Sequence, residues 1–302
     1  MSSDTEPTTS TSQMSKDDWT LRLSNWSRFG NRDELGTLNY IKPTKVVAAA
    51  NLVRQGRVVS LSRVIATKDQ SDRTAGANLR MLRTSTPDDM FTDVMTIEPH
   101  GPDVTHLDAL GHAADAGVFY GGRSTAEVIR RGQLESLSVA ALGDGVATRG
   151  VLLDVAAAQG IPFFEAGRGV SADDLDRAEE WAGVQVGSGD AVVVHIGVDP
   201  QRRKEGPWAG LLLSAIEWIA EREVSIYTGD CIERIPSEMP DLPLPLHTLG
   251  IVYVGLIIVD NPDLDDLIET CADLKVNEFL FCIAPLKVVG STGCPINPLC
   301  IF

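Results

Sequence analysis

From about residue 150 onward, short unbroken apolar runs alternate with segments whose apolar positions recur every three or four residues. The runs GVLLDVAAA (150–158), GDAVVVHIG (189–197), SIYTGD (225–230) and EFLFCIAPLKVVG (278–290) read as strands. The first two have unbroken apolar centres, VLL and AVVV, the pattern of a strand covered on both faces. Between them, SADDLDRAEEWAGV (171–184), GLLLSAIEWIAEREV (210–224) and LDDLIETCADL (264–274) read as helices. Ser171 supplies an N-cap hydroxyl, and the acids behind it suit the positive end of the helix dipole. Strands alternating with amphipathic helices predict an α/β fold with a mixed sheet.

The first half is less regular. KPTKVVAAANLVRQG (42–56) reads as a helix opened by Pro43 and ended by Gly56, and RVVSLSRVI (57–65) as an alternating strand. Residues 66–90 carry few apolar anchors and read as a long loop or hairpin, suited to a lid. FTDVMTIEPHG (91–101) is strand-like. Gly121-Gly122 marks a turn that presents Phe119 and Tyr120. Ser124 and Glu127 then form a capping pattern ahead of helical spacing through about residue 145. The last twelve residues, STGCPINPLCIF, read as irregular. Residues 1–17 are rich in Ser, Thr and acids and read as a disordered tail, leaving one domain over 18–302.

Composition narrows the class. The chain has 302 residues, is 43% hydrophobic and 23% charged, and carries a net charge of −16. A soluble globular protein has these proportions. The acidic balance argues against nucleic-acid binding and against docking on an anionic membrane. The five cysteines are dispersed without a CxxC pair, so they read as reduced thiols rather than a zinc knuckle or disulfide framework. No leader pattern opens the sequence, and the apolar run at 249–259 is too short to span a bilayer. The expectation is a cytoplasmic protein.

Chemistry concentrates in one place. Three of the five histidines, His100, His106 and His112, fall within THLDALGH and the residues just before it, with Asp108 among them. In an extended segment, residues two apart share a face, so His106 and Asp108 point the same way. Imidazole and carboxylate converging on one point suit a first-row divalent cation, zinc or manganese. A hydrogen-bonded structural turn is the competing reading. His195, inside a strand, reads as a core or rim histidine. Asp154 reads as a strand end, and Asp230 as a turn cap or a substrate contact. No GxGxxG follows a strand and no G-x-S-x-G occurs, which speaks against a nucleotide cofactor and a serine nucleophile.

Taken together, GTLNY (36–40), THLDALGH, GVLLDVA, GDAVVVHIG, the strand ending at Asp230, His247, VDN (259–261) and PLKVVGSTGCPINP resemble the cyclase-like metal-dependent hydrolases. That family includes bacterial kynurenine formamidase and isatin hydrolase. The resemblance implies a swivelling β/β/α-type domain that assembles as a homodimer or homotetramer, with pockets that borrow residues from a neighbour. Trp19 and Trp26 would suit that exchange. The family motif runs His-x-x-x-His-x-Asp-x-x-x-His. His106, Asp108 and His112 match its last three members. The first falls on Pro102, a departure, while His100-Gly101 matches a variant of the longer members. His247 matches a later histidine, and Asp260 stands where the family has Glu.

The resemblance thus implies a metal set of His100, His106, Asp108, His247 and Asp260. His112 serves as general base, and Asp260 counts both as ligand and as catalytic carboxylate. Tyr120 is the candidate substrate-binding residue, with turn packing as its competing role. The expected reaction is hydrolysis of an amide, formamide or lactone in a small cyclic or aromatic substrate through metal-activated water. The alternatives are a polyketide-type cyclase with weak or no metal, and a metal-free binding protein on the same scaffold.

Overall fold

The apolar runs become the middle strands of a large sheet. The structure, a computed structural model, describes residues 14–67, 76–83, 90–101, 103–198 and 206–302. In chain order its principal strands are β1 (Val58–Ser60), β2 (Ala77–Arg83), β3 (Phe91–Ile97), β4 (His106–Asp108) and β5 (Val146–Asp154). They continue with β6 (Ala191–His195), β7 (Ile226–Gly229), β8 (Ile257–Asp260), β9 (Glu278–Ile283), β10 (Gly293–Pro295) and β11 (Leu299–Ile301). Among the described residues a nine-stranded sheet runs in the order β1-β11-β9-β5-β6-β7-β8-β4-β10. Neighbours from β5 to β8 pair in parallel, and the flanking pairs are antiparallel. The sheet is therefore mixed, as the alternation predicts. Val192, Val193 and Val194 are fully buried, the expected state of a parallel strand covered on both faces.

The longer helices are α1 (Lys16–Leu23), α2 (Pro43–Ala50), α3 (Ala172–Ala182), α4 (Leu213–Glu221) and α5 (Asp265–Leu274). The Ser171 hydroxyl accepts the Asp174 N–H, and the Asp174 carboxylate accepts the Ser171 N–H, closing a capping box. Gly183, at φ 66°, ends the same helix in the left-handed region, which a residue without Cβ enters freely. A π-helix, Leu246–Val254, carries His247 in its first turn. No described helix is long and apolar enough to cross a membrane.

Several expectations change. α1 begins at Lys16, inside the stretch read as a tail, while residues 1–13 lie outside the described residues. Trp19 is fully buried in its own chain, and Trp26 stacks on Tyr253 at 5.0 Å while its Nε1–H donates to the Val252 carbonyl. Both tryptophans are thus packed within the chain. α2 stops at Ala50, six residues before Gly56. The helix expected after Ser124 lasts one turn, Thr125–Val128, although its capping box is formed. Arg131 and Gly132 both have positive φ and turn the chain into a small hairpin. The terminal segment is not irregular: β10 and β11 join the main sheet, each only three residues long. Of residues 66–90, the described part includes β2, which forms with β3 a ribbon outside the main sheet.

Candidate metal centre

The antiparallel register between β4 and β8 sets His106 opposite Asp260 and Asp108 opposite Ile258. On the other side of β4, Gly293 faces Asp108 and Pro295 faces His106. A side chain at 293 could not be accommodated, because its Cβ would lie 2.2 Å from the Leu107 carbonyl oxygen and 2.7 Å from the His100 ring. His106 and Asp108 share a face, as their spacing predicts.

Asp108 is the centre. Its side chain is 1% exposed and is approached by four of the five histidines. Oδ1 lies 2.8 Å from His100 Nδ1, 3.5 Å from His106 Nε2 and 3.9 Å from His112 Nε2. Oδ2 lies 3.9 Å from His247 Nε2 and has no hydrogen-bond partner among the described residues. Each ring is oriented by a second contact. His106 Nδ1 donates to the Val104 carbonyl at 2.9 Å. His100 Nε2 is 2.9 Å from the Thr292 hydroxyl, and the His100 ring stacks on His112 at 4.0 Å. His247 Nδ1 donates to Glu233, whose two carboxylate oxygens lie 2.9 and 3.1 Å away.

Burial opposes charge on Asp108, but the His100 hydrogen bond and the surrounding imidazoles outweigh it and hold the carboxyl below its usual range. Burial and then the neighbouring rings push His112 down to about 4, against the pull of Asp108, so it is a neutral imidazole at neutral pH. Burial pulls His247 down as well. The Glu233 hydrogen bond and charge reverse that and raise it to about 9, with Asp108 and Asp260 adding to the rise.

A buried carboxylate oxygen with no partner is costly in a saturated protein interior. Here it lies 3.9 Å from His247 Nε2, and the other oxygen of the same carboxylate is near three further imidazole nitrogens, a donor set that fits a borderline first-row divalent cation. His100, Asp108 and His112 each offer one ligand atom within 4.8 Å of the others. His112, expected as the general base, thus also has a ring nitrogen near enough to be a ligand. Asp260 lies across the ladder from His106 and accepts the Asn261 N–H at 2.7 Å. Pro102 lies outside the described residues.

Tyr120 does not join the cluster. It is 2% exposed and its hydroxyl donates to Asp33 at 3.1 Å; Phe119 is 5% exposed. Burial and the Asp33 charge push the Tyr120 phenol upward. The contacts described for it are those of turn and core packing. Glu233 and Thr292 carried no sequence signal. They are ordinary polar residues outside the main strands and helices, Thr292 being 192 residues from His100 and Glu233 14 residues from His247.

The remaining histidine, His195, lies on the opposite face of the sheet. Val193, Thr228, Val259 and Leu107 are aligned across the strands on its face, and Val192, Tyr227, Ile258 and Asp108 on the other. His195 Nδ1 is 3.0 Å from Asp154 Oδ1, and Nε2 is 3.8 Å from Asp230 Oδ2. The three border a second polar region that includes a cavity of about 320 Å³ lined by Arg63, His195 and Asp230.

The Cyclase family model, described as putative cyclase, matches residues 33–233. A crystal structure described as a novel cyclase has 25% identity and a TM-score of 0.80, covering 92% of this chain and 99% of that one. An isatin hydrolase bound to the product analogue thioisatinate shares 18% identity at a TM-score of 0.55, covering 86% and 98%. Isatin hydrolase A from Ralstonia solanacearum shares 20% at 0.53, covering 86% and 97%. These likenesses show the fold. No curated protein matches the chain.

Proposed function

Because the chain belongs to the Cyclase family, we propose that it is a metal-dependent hydrolase cleaving an amide, formamide or lactone in a small cyclic or aromatic substrate. One observation carries this reading: a buried aspartate, one oxygen without a hydrogen-bond partner, ringed by four imidazoles. The isatin hydrolases of like fold are the basis for the substrate class.

In this reading His100, His106, Asp108, His247 and Asp260 are the residues that would hold a zinc or manganese ion. Such an ion, when bound, polarises a carbonyl and lowers the pKa of water. Asp108 stays charged, as its depressed pKa allows. His112, neutral at neutral pH, accepts a proton from water at a ring nitrogen and returns it to the leaving nitrogen or oxygen.

Elemental analysis of the purified protein, joined to a hydrolysis screen of formamides, cyclic amides and lactones, tests the proposal. Bound zinc or manganese with turnover on one class is the expected outcome. No metal, and no activity after either ion is added back, overturns it. His112→Ala is expected to slow turnover by about 10²–10⁴-fold with unchanged circular dichroism.

A polyketide-type cyclase is the second reading. It is favoured by the cyclase of TM-score 0.80 and by Pro102 at the motif's first position. Ring closure that persists after chelation would select it. We also propose self-association as a homodimer or homotetramer. The β2–β3 ribbon supports this, since a lone two-stranded ribbon is marginal in water and this one leaves Met81 67% and Phe91 64% exposed. A monomer by light scattering would refute it.

A further inference from the structure

We propose that Glu233 is a positioning residue: it holds the Nδ1–H of His247 so that Nε2 is the nitrogen presented to the metal centre. The role in metal binding rests on the hydrolase reading, whereas the ring orientation does not.

Glu233 is fully buried, and among the described residues its one recorded ion pair is with His247. A carboxylate taken out of water is retained only where something pairs with it. Both of its oxygens lie within reach of the same ring nitrogen, at 2.9 and 3.1 Å. A carboxylate accepts and cannot donate, so Nδ1 must carry hydrogen. In the neutral ring Nε2 then bears the lone pair, and Nε2 is the atom that faces Asp108 Oδ2 at 3.9 Å. His247 thus stands between two carboxylates with different duties, one on each nitrogen. A carboxylate behind a ligating imidazole fixes its tautomer and raises its basicity.

Both partners sit on rigid backbone. The Leu211 N–H donates to the Ile232 carbonyl at 2.8 Å and the Arg234 N–H to the Leu211 carbonyl at 3.0 Å, so the chain on either side of Glu233 is tied to Leu211. Gly210 lets the two segments meet, since a Cβ there would lie 2.2 Å from the Ile232 carbonyl oxygen and 2.6 Å from the Glu233 carbonyl carbon. His247 lies in the first turn of the π-helix, a form that recurs at functional sites.

The test is a proton–nitrogen correlation spectrum of the imidazole region, paired with zinc titration calorimetry on the full chain. The wild-type protein is expected to show a protected, downfield Nδ1–H of His247 that vanishes in His247→Asn and persists when zinc is added. Glu233→Ala should lose that resonance and bind zinc about 10–100-fold more weakly. Glu233→Gln, whose amide oxygen still accepts, should keep the resonance and most of the affinity, with unchanged circular dichroism. A protected Nδ1–H that depends on Glu233 in a protein that binds no zinc upholds the orientation and sinks the hydrolase reading instead. Absence of the resonance from wild type, or wild-type zinc affinity and resonance in Glu233→Ala, overturns the proposal; the first needs no variant to fold.

Discussion

Two histidine–aspartate clusters occupy the same end of the sheet on opposite faces, and they use their carboxylates differently. Around His195, the carboxylates also serve backbone amides. Asp154 Oδ1 accepts the Ala157 N–H at 2.9 Å, and the two oxygens of Asp230 accept the Ile196 and Val198 N–H groups, each at 2.9 Å. Around Asp108, the carboxylate meets imidazoles, and one oxygen has no hydrogen-bond partner among the described residues. Residue types are the same in both places. What separates them is where the acceptor capacity goes: into holding loops on one face, and toward a point where four rings converge on the other. The contrast teaches that a His–Asp pair in sequence is a weak signal until its other hydrogen bonds are counted.

The largest expected effect that would break this contrast comes from Asp108→Asn. Removing the central charge should abolish bound metal by elemental analysis and turnover with it, while the fold persists. Retained metal would mean that Asp108 is no more committed to an ion than Asp230 is. Next comes Gly293→Ala, which drives a methyl group into the Leu107 carbonyl and the His100 ring. Overpacking of this kind costs about 1–3 kcal/mol. Chemical denaturation should read that loss, together with weaker metal binding.

The other cluster should answer in stability instead. Asp230→Asn weakens two charge-assisted bonds to backbone and is expected to cost about 1–3 kcal/mol in denaturant, with metal content unchanged. The smallest effect is a pH dependence. Burial lowers the His195 pKa, but the Asp154 hydrogen bond and the Asp230 charge outweigh it, so the folded value lies above 6.5. A raised folded pKa means that the native state holds its proton more tightly than the unfolded chain. The stabilisation is fully present below about 6.5 and is lost as pH rises through the folded value. Melting temperatures of wild type and His195→Asn should therefore converge as pH rises across that interval. A gap that widens instead would remove the ion-paired description of this cluster.

Local periodicity explains which elements were legible. The runs at 150–154 and 191–195 became β5 and β6 because three or four branched or small apolar residues in sequence have few places to go except the middle of a sheet. Ser171 and Asp174 made their helix start readable because a capping box is closed within four residues. β10 and β11 were not legible. Each is three residues long and lies close to prolines, so neither shows a period, and only their partners, β4 for the first and β1 and β9 for the second, define them as strands. The spacing after Ser124 looked helical because it holds apolar residues at suitable intervals, but the backbone is already extended at Ile129, and positive φ at Arg131 and Gly132 then folds it into a hairpin. Tyr120 looked exposed beside a glycine pair, yet its ring is buried and its hydroxyl reaches Asp33.

The sequence by itself determined the α/β alternation and the pairing of His106 with Asp108, because both follow from contacts a few residues apart and from the two-residue period of a strand. Tertiary structure alone decided that His247 arrives at the same carboxylate, that Glu233 stands behind it, and that His195 lies on the other face. Those facts depend on strand order and on which polar groups are already satisfied. Both are long-range quantities that no window of sequence contains.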